Sequence, residues 1–457
     1  MRSPSRPGWL TPPSLPMVLL AGLFVVLWLA GGASRADALG QAVVRGAAWL
    51  ALIAATLLAP PPALRDLRPV LFFTLASAVL VLIQLVPLPP AVWLSLPGRE
   101  PLAEAAILLG EAQPWRPLAI VPDAAWNAAS SLIVPCAVLI LLGGLRPRER
   151  AWLPAILLGL IAASALLALL QFSGAAVSNP FVNERAGQVS GSLANRNHFA
   201  LFTAVGCLLV PVWVFLDGRR PHWRGPVGVA LVLLFALVIL ASGSRAGILV
   251  GTLALGLGAL LARQGLRRTL RHAPRWALPA GVALVIVIIV VAVLVAIAAG
   301  RAPSIDRSFA ANTGEDMRFR ALPTLFTMIG TYFPVGAGFG GFDPLFRIHE
   351  PFALLKPTYF NHAHDDLLEV IIEGGVAALA LLLAAVIWWV RASIRAWRRN
   401  ATLAKAGSAI IFLVLVASAF DYPVRTPLLM AVLVVAAAWL TTGAGRPATS
   451  ALPADRG

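Results

Sequence analysis

The sequence predicts an all-α polytopic membrane protein with about twelve transmembrane helices, and three observations carry that prediction. Of 457 residues, 59% are hydrophobic and only 12% are charged, with a mean hydropathy of +0.84. No ordinary soluble domain has that balance. Apolar runs of about 17–25 residues recur along the chain, long enough to cross a bilayer as helices. They are rich in Leu, Ala, Val and Ile without the alternation of barrel strands, and helices satisfy their own backbone hydrogen bonds in lipid. The loops between them are mostly short, and every second one is basic. A single integral membrane domain over 1–457 is expected, with one large loop, 300–364, inserted between spans nine and ten.

In chain order the runs fall at 14–31, 40–59, 69–88, 127–144, 151–172, 197–217, 226–242, 245–262, 277–299, 365–390, 403–420 and 423–441. The first follows Arg2 and Arg6, as a secretion leader would, but lacks a cleavage site and opens a series of similar runs. It is read as a span. SGSR at 242–245 makes a very short turn, so one long helix is a rival reading there. The segment from 226 to 262 is nonetheless much longer than the roughly 20 residues that one crossing needs, which favours two spans.

With the N-terminus inside, 22 of the 36 basic residues fall on the cytoplasmic side, among them Arg146, Arg148, Arg150, Arg263, Arg267, Arg268, Arg395 and Arg398. Both termini are then cytoplasmic. This topology bias accounts for the net charge of +16 without a nucleic-acid partner. Cys136 and Cys207 lie inside apolar runs, so no disulfide framework is expected.

The outward segments differ in composition. The 89–126 loop carries scattered charges, and Leu102–Leu109 suits a short helix on the membrane surface. The 173–196 loop is rich in Gly, Ser and Asn. Within 300–364, MRFRALPTLFTMIGTYFP predicts an amphipathic helix interrupted at Pro323 and ended by Pro334. GAGFGGF follows, too glycine-rich for a helix and without the Lys-Ser/Thr of a phosphate-binding loop.

Candidate chemistry gathers at this outward face. Arg185, Arg196, Arg245, Arg318 and Arg320 sit at or near the membrane edge, where an arginine snorkels, pairs or binds an anion. Its fork matches phosphate oxygens. In HAHDDLLE, His362 and His364 precede Asp365, Asp366, Glu369 and Glu373, and Asp365, Glu369 and Glu373 repeat every four residues along one helix face. His364 suits a general base whose other nitrogen is held by a carboxylate. Helix capping is an alternative for the acids, and a metal site is a third, although the spacing matches no zinc signature. Asn195 and Asn197 can cap span six or offer amides to sugar hydroxyls. Asp421 lies four residues before Arg425, suited to a local ion pair or to the site.

GSLANRNHFA at 191–200, SGSRAG at 242–247, MRFRALPTLFTMIGTYFPVGAGFGGF at 317–342, HAHDDLLEVIIEGG at 362–375 and SAFDYPVRTP at 418–427 together resemble the bacterial O-antigen ligase and polysaccharide polymerase superfamily. PWRPLAIVPDAAW at 114–126 has a counterpart in many members, and the matches run in the family's order. The resemblance implies a GT-C-like fold in the bacterial inner membrane and glycosyl transfer at the periplasmic face from a polyprenyl-diphosphate-linked glycan, without cofactor or metal. It implies His364 as the base, with Arg185, Arg245 and Arg318 on the diphosphate. Asn195, Asn197, His362, Asp365, Asp366, Glu369 and Asp421 are expected in support. Asp365 departs from the Asn that many members carry after the histidine, so its charge must face away from the phosphates. The acceptor is open between lipid A core, another glycan chain and a protein hydroxyl. An exporter or flippase of lipid-linked glycans is the rival class, for which paired repeats or broken helices near mid-membrane would be expected.

Overall fold

The structure is a computed structural model that describes residues 12–175, 177–183, 188–216, 221–271, 274, 276, 317–355 and 360–442. Arg185, the expected span at 277–299 and the start of the large loop lie outside the described residues.

The chain is an all-helical membrane protein. Among the described residues, eight helical segments are long and apolar enough to cross a membrane, and three shorter apolar helices, Leu15–Ala30, Thr402–Ser418 and Pro427–Thr442, stand where further spans were expected. The helices are α1 (Leu15–Ala30), α2 (Leu39–Leu58), α3 (Arg68–Ile83), α4 (Pro90–Leu94), α5 (Glu100–Leu108), α6 (Pro122–Ser131), α7 (Ile133–Gly144), α8 (Pro147–Arg150) and α9 (Leu153–Phe172). There follow α10 (Arg196–Val214), α11 (Arg224–Ala241), α12 (Arg245–Leu270), α13 (Met317–Tyr332), α14 (Phe342–His349), α15 (Asp366–Arg398), α16 (Thr402–Ser418) and α17 (Pro427–Thr442).

Burial separates the helices. The central stretch of α10 is 89% buried, against 17% for the one that contains α3. Thus α10 is the axis of the bundle, wrapped by α9, α11, α12 and α16, while α3 keeps most of its apolar surface outward as lipid-facing helices do. Close approach of α10 and α12 depends on small residues: a Cβ on Gly247 would lie 2.4 Å from that of Ala200. The SGSR segment is indeed a break, with Gly243 at φ 61° between α11 and α12.

One expectation needs correction. Pro323 does not interrupt its helix, for α13 runs through it to Tyr332. A helix long and apolar enough to span stands where 365–390 was predicted, and within it α15 breaks at Gly375, at φ 57° and ψ −147°. The glycine-rich segment after α13 docks on that break. Ala337 N donates to Ile372 O, Gly338 N to Glu373 O, and Val376 N to Pro334 O. A Cβ on Gly375 would lie 2.1 Å from Pro334 O, so the residue type and the docking are linked.

The loop between α3 and α6 folds over the same end. Pro87–Leu88 pairs antiparallel with Arg116–Pro117, an exception to the all-helix expectation. Arg99 is fully buried there and donates to Pro97 O, Leu118 O and Gly336 O, fastening this loop to the glycine-rich segment. Gln84 adds a second fastening: its Nε2 donates to Glu373 O and its Oε1 accepts from Phe339 N. At the opposite end, Ser14 N and Oγ donate to Glu149, tying the start of α1 to the basic turn around α8.

Candidate functional site

The starts of α10, α12, α15 and α17 and the end of α16 meet at one end of the bundle. Four helix N-termini converging there favour negative charge nearby. Asp421, in the turn from α16 to α17, joins them. Its Oδ2 accepts from Asn195 Nδ2 at 2.9 Å and Asn197 Nδ2 at 2.6 Å. Its Oδ1 accepts from Tyr422 N at 3.1 Å and faces His364 Nδ1 at 3.2 Å. Ser244 Oγ, which caps α12 through Gly247 N, also donates to Asn197 Oδ1 at 2.7 Å. Segments near residues 195, 244, 364 and 421 are therefore joined by one chain of hydrogen bonds. Burial alone would push the Asp421 carboxyl up, but His198 and His364 beside it hold it well below the usual carboxylate range.

His364 has a left-handed backbone, φ 54°. In a non-glycine residue such a conformation costs about 1–3 kcal/mol and persists only where its surroundings hold it. Because a carboxylate only accepts, the nitrogen facing Asp421 carries the hydrogen and Nε2 carries the lone pair. The His364 side chain is 20% exposed and that of Asp421 3%, so the imidazole is reachable while its partner is sealed. This is the geometry of a base with a buried orienting group.

The rest of HAHDDLLE turns to separate partners. His362 Nδ1 lies 2.8 Å from Glu369 Oε1, and Glu369 Oε2 accepts from Ala363 N at 2.8 Å. Asp365 caps α15, accepting from Leu367 N and Leu368 N, so its charge is directed into its own helix. Asp366, Glu369 and Glu373 surround Arg425, each with one oxygen 3.2 Å from a guanidinium nitrogen. Glu373 Oε1 also accepts from Gly340 N at 2.9 Å.

Three readings of the sequence change accordingly. The line of Asp365, Glu369 and Glu373 is divided, since the N-cap position claims Asp365 and Asp366 takes its place on the arginine. The local Asp421–Arg425 pair does not form: Arg425 points to α15 and Asp421 to the histidines. The amides of Asn195 and Asn197 are turned to Asp421, while Asn195 Oδ1 caps α10 through Asn197 N.

The arginines occupy the same end. Arg318 Nη1 donates to Phe420 O at 2.8 Å, next to Asp421, and Arg320 Nη2 donates to Ala353 O. Arg245 and Arg196 are the first residues of α12 and α10, and the Arg245 side chain is exposed. Among the described candidates, the structure brings His364, Asp421, Asn195, Asn197 and Arg318 into one neighbourhood. Arg245 joins it through its neighbour Ser244.

Sequence reasoning missed three members. His198 lies beside Asp421, with Nε2 3.8 Å from Oδ1, in the quoted NRNH stretch one residue past Asn197. The Tyr422 ring contacts His362, His364 and His198 at centroid distances of 4.1, 5.1 and 5.0 Å. Arg425 was considered only as a partner of Asp421. The last two flank Asp421 in DYPVR, so proximity in sequence was the available signal.

Residues 230–383 match the family model described as O-Antigen ligase. The match covers about a third of the chain and supports its assignment to the O-antigen ligase and polysaccharide polymerase superfamily. The matched stretch holds Arg245, Arg318, His362, His364, Asp365, Asp366 and Glu369, whereas Asn195, Asn197, His198 and Asp421 reach the site from outside it. No curated protein matches the chain.

Proposed function

We propose that the protein transfers a glycan from a polyprenyl-diphosphate donor to an acceptor hydroxyl at the outer face of the inner membrane. The observation that carries this reading is His364, held in a left-handed backbone with its ring partly exposed and Nδ1 on buried Asp421, next to the Phe420 carbonyl that holds Arg318. His364 Nε2 takes the proton of the attacking hydroxyl. The hydroxyl oxygen bonds to the anomeric carbon as the sugar–phosphate bond breaks, and its electron pair leaves with the diphosphate. Arg245, Arg318 and Arg185 hold that diphosphate and offset its growing charge. With His364 as the base, a single displacement inverts the anomeric centre. The reaction needs neither nucleotide nor metal.

Charge supports the outer face, for the site lies opposite the basic turn around α8. Twelve spans with both termini inside keep all the dense basic loops on one side. Reporter fusions at Leu108 and Arg267 should score on opposite sides, and a same-side result overturns this topology. The break in α15 is the one observation favouring a transporter. Its backbone groups are occupied by the glycine-rich segment, however, which makes it a docking joint within the protein.

Purified protein given a lipid-linked oligosaccharide and a panel of acceptors should release polyprenyl diphosphate without ATP or added metal. The panel includes lipid A core, a second lipid-linked glycan and a protein Ser/Thr acceptor, so the same assay names the acceptor. Translocation with no bond made, or strict dependence on ATP, would overturn the proposal.

A further inference from the structure

We propose that His198 is a positioning residue that shares the Asp421 carboxylate with His364 and so governs how firmly His364 holds its proton. The inference rests on the reading of His364 as the base and goes beyond it. His198 is 2% exposed on the central helix α10. Its Nδ1 is 2.8 Å from Thr426 Oγ1, and its ring stands edge-on to Tyr422. Nε2 is a buried nitrogen with no hydrogen-bond partner. It points to Asp421 Oδ1, 3.8 Å away, the same oxygen that His364 Nδ1 approaches at 3.2 Å. A small cavity lined by Asn197, His198, Gly247 and Asp421 adjoins it.

Chemistry restricts what this arrangement can be. A bare Nε2 lone pair aimed at a carboxylate would be repelled, so Nε2 carries a proton. Thr426 Oγ1 can then donate to Nδ1 of a neutral ring, or accept from Nδ1 of a doubly protonated one. A structural histidine has no need of a carboxylate already engaged by a second histidine, two amides and a backbone N–H. The three-way arrangement instead makes the histidines competitors: a proton gained by one draws on the negative charge that stabilises the proton on the other. Among the described residues, the other charged or titratable groups near the pair are Arg196 on α10, His362, Asp365, Asp366, Glu369 and Glu373 at the start of α15, Tyr422 and Arg425 before α17, Arg318 on α13 and Arg245 on α12. All remain in place when His198 alone is changed.

The test is a histidine-selective NMR titration of the full chain in lipid nanodiscs. With six histidines, single substitutions assign the resonances. In His198→Gln the titration midpoint of His364 should move up by about one pH unit, because Asp421 then serves one imidazole. An unchanged or lowered midpoint overturns the proposal. Should His198→Gln fail to fold, the unsubstituted protein supplies the test: the two resonances should each show inflections that mirror the other's, and independent single-step curves overturn it. No glycan is needed for these spectra. A chain that transfers nothing but shows mutual titration would refute the proposed function alone, whereas active transfer with independent titration would refute this inference alone.

Discussion

Asp421→Asn isolates the logic of the site, since it removes a charge while preserving shape. The wild-type carboxylate opposes four donors: two asparagine amides on Oδ2, and Tyr422 N and His364 Nδ1 on Oδ1. An amide has one accepting oxygen, so its NH2 must face one of these pairs. Facing the asparagines would need them to flip, but Asn195 Oδ1 caps Asn197 N and Asn197 Oδ1 accepts from Ser244. Facing Oδ1's partners leaves the more distant His198 Nε2 hydrogen, at 3.8 Å, opposed and needs His364 to move its hydrogen from Nδ1 to Nε2. That is the wrong tautomer for a base. The remaining donor–donor clash with Tyr422 N costs about 1–3 kcal/mol of stability. Turnover should fall by about 10²–10⁴, the range for loss of a general base, with donor affinity retained.

The pH dependence separates the two effects. Loss of the negative partner weakens the imidazolium of His364, so the acid limb of residual activity should move to lower pH. Stability behaves differently. The Asp421 carboxyl is lowered in the folded state, so its contribution is complete above the unfolded value of about 3.9 and lost only as pH falls through the folded value. The Asp421 share of the stability gap between wild type and variant should therefore persist above about pH 4 and shrink only as pH falls below it. Transfer assays with purified polyprenyl-linked donor, paired with thermal unfolding in detergent, measure both. Turnover within threefold of wild type would refute the tautomer argument.

Other perturbations probe the surrounding frame. His364→Ala should insert normally, bind donor and lose about 10²–10⁴ in rate, whereas near-normal turnover would move attention to Glu369 and Asp421. Arg245→Lys should raise the donor concentration needed for half-maximal rate, because lysine keeps the charge but loses the bidentate fork; an unchanged value removes Arg245 from the diphosphate. Arg425→Ala leaves three carboxylates without their cation and should destabilise the protein by about 3–5 kcal/mol, read as a lowered unfolding temperature. Gly375→Ala meets Pro334 O and should loosen the glycine-rich segment, seen as faster proteolysis within 334–341.

Where apolar length decides structure, the sequence was legible. Spans along α2, α7, α9, α10 and α11 and the turn at SGSR follow from run length and glycine placement, because lipid imposes the same rule on every crossing. The site was legible as a set of residue types at one end of the bundle. Their pairing was not, because the pairs join positions far apart in the chain. Asp421 reaches Asn195 across 226 residues, while its neighbour at i+4 turns elsewhere. Periodicity placed Asp365 with Glu369 and Glu373 but carried no signal that the N-cap position would claim it. Arg99 read as a scattered loop charge because its acceptors, three carbonyls, have no sequence signature.

Those long-range pairs bear on how His364 can hold its backbone conformation. A left-handed histidine costs about 1–3 kcal/mol. Against that stand the contacts to Asp421, the bonds from His362 and Ala363 to Glu369, and the Asp365 cap. Hydrogen bonds to charged groups contribute about 1.5–3 kcal/mol each, so any two of these offset the strain. Their anchors differ in origin: Glu369 is fixed by Arg425 and Asp421 by the two asparagines, and Ser244 ties one of these to the start of α12. The imidazole is thus set by the fold before any substrate arrives, as preorganised proton transfer requires. Loosening any one anchor should cost rate before it costs folding.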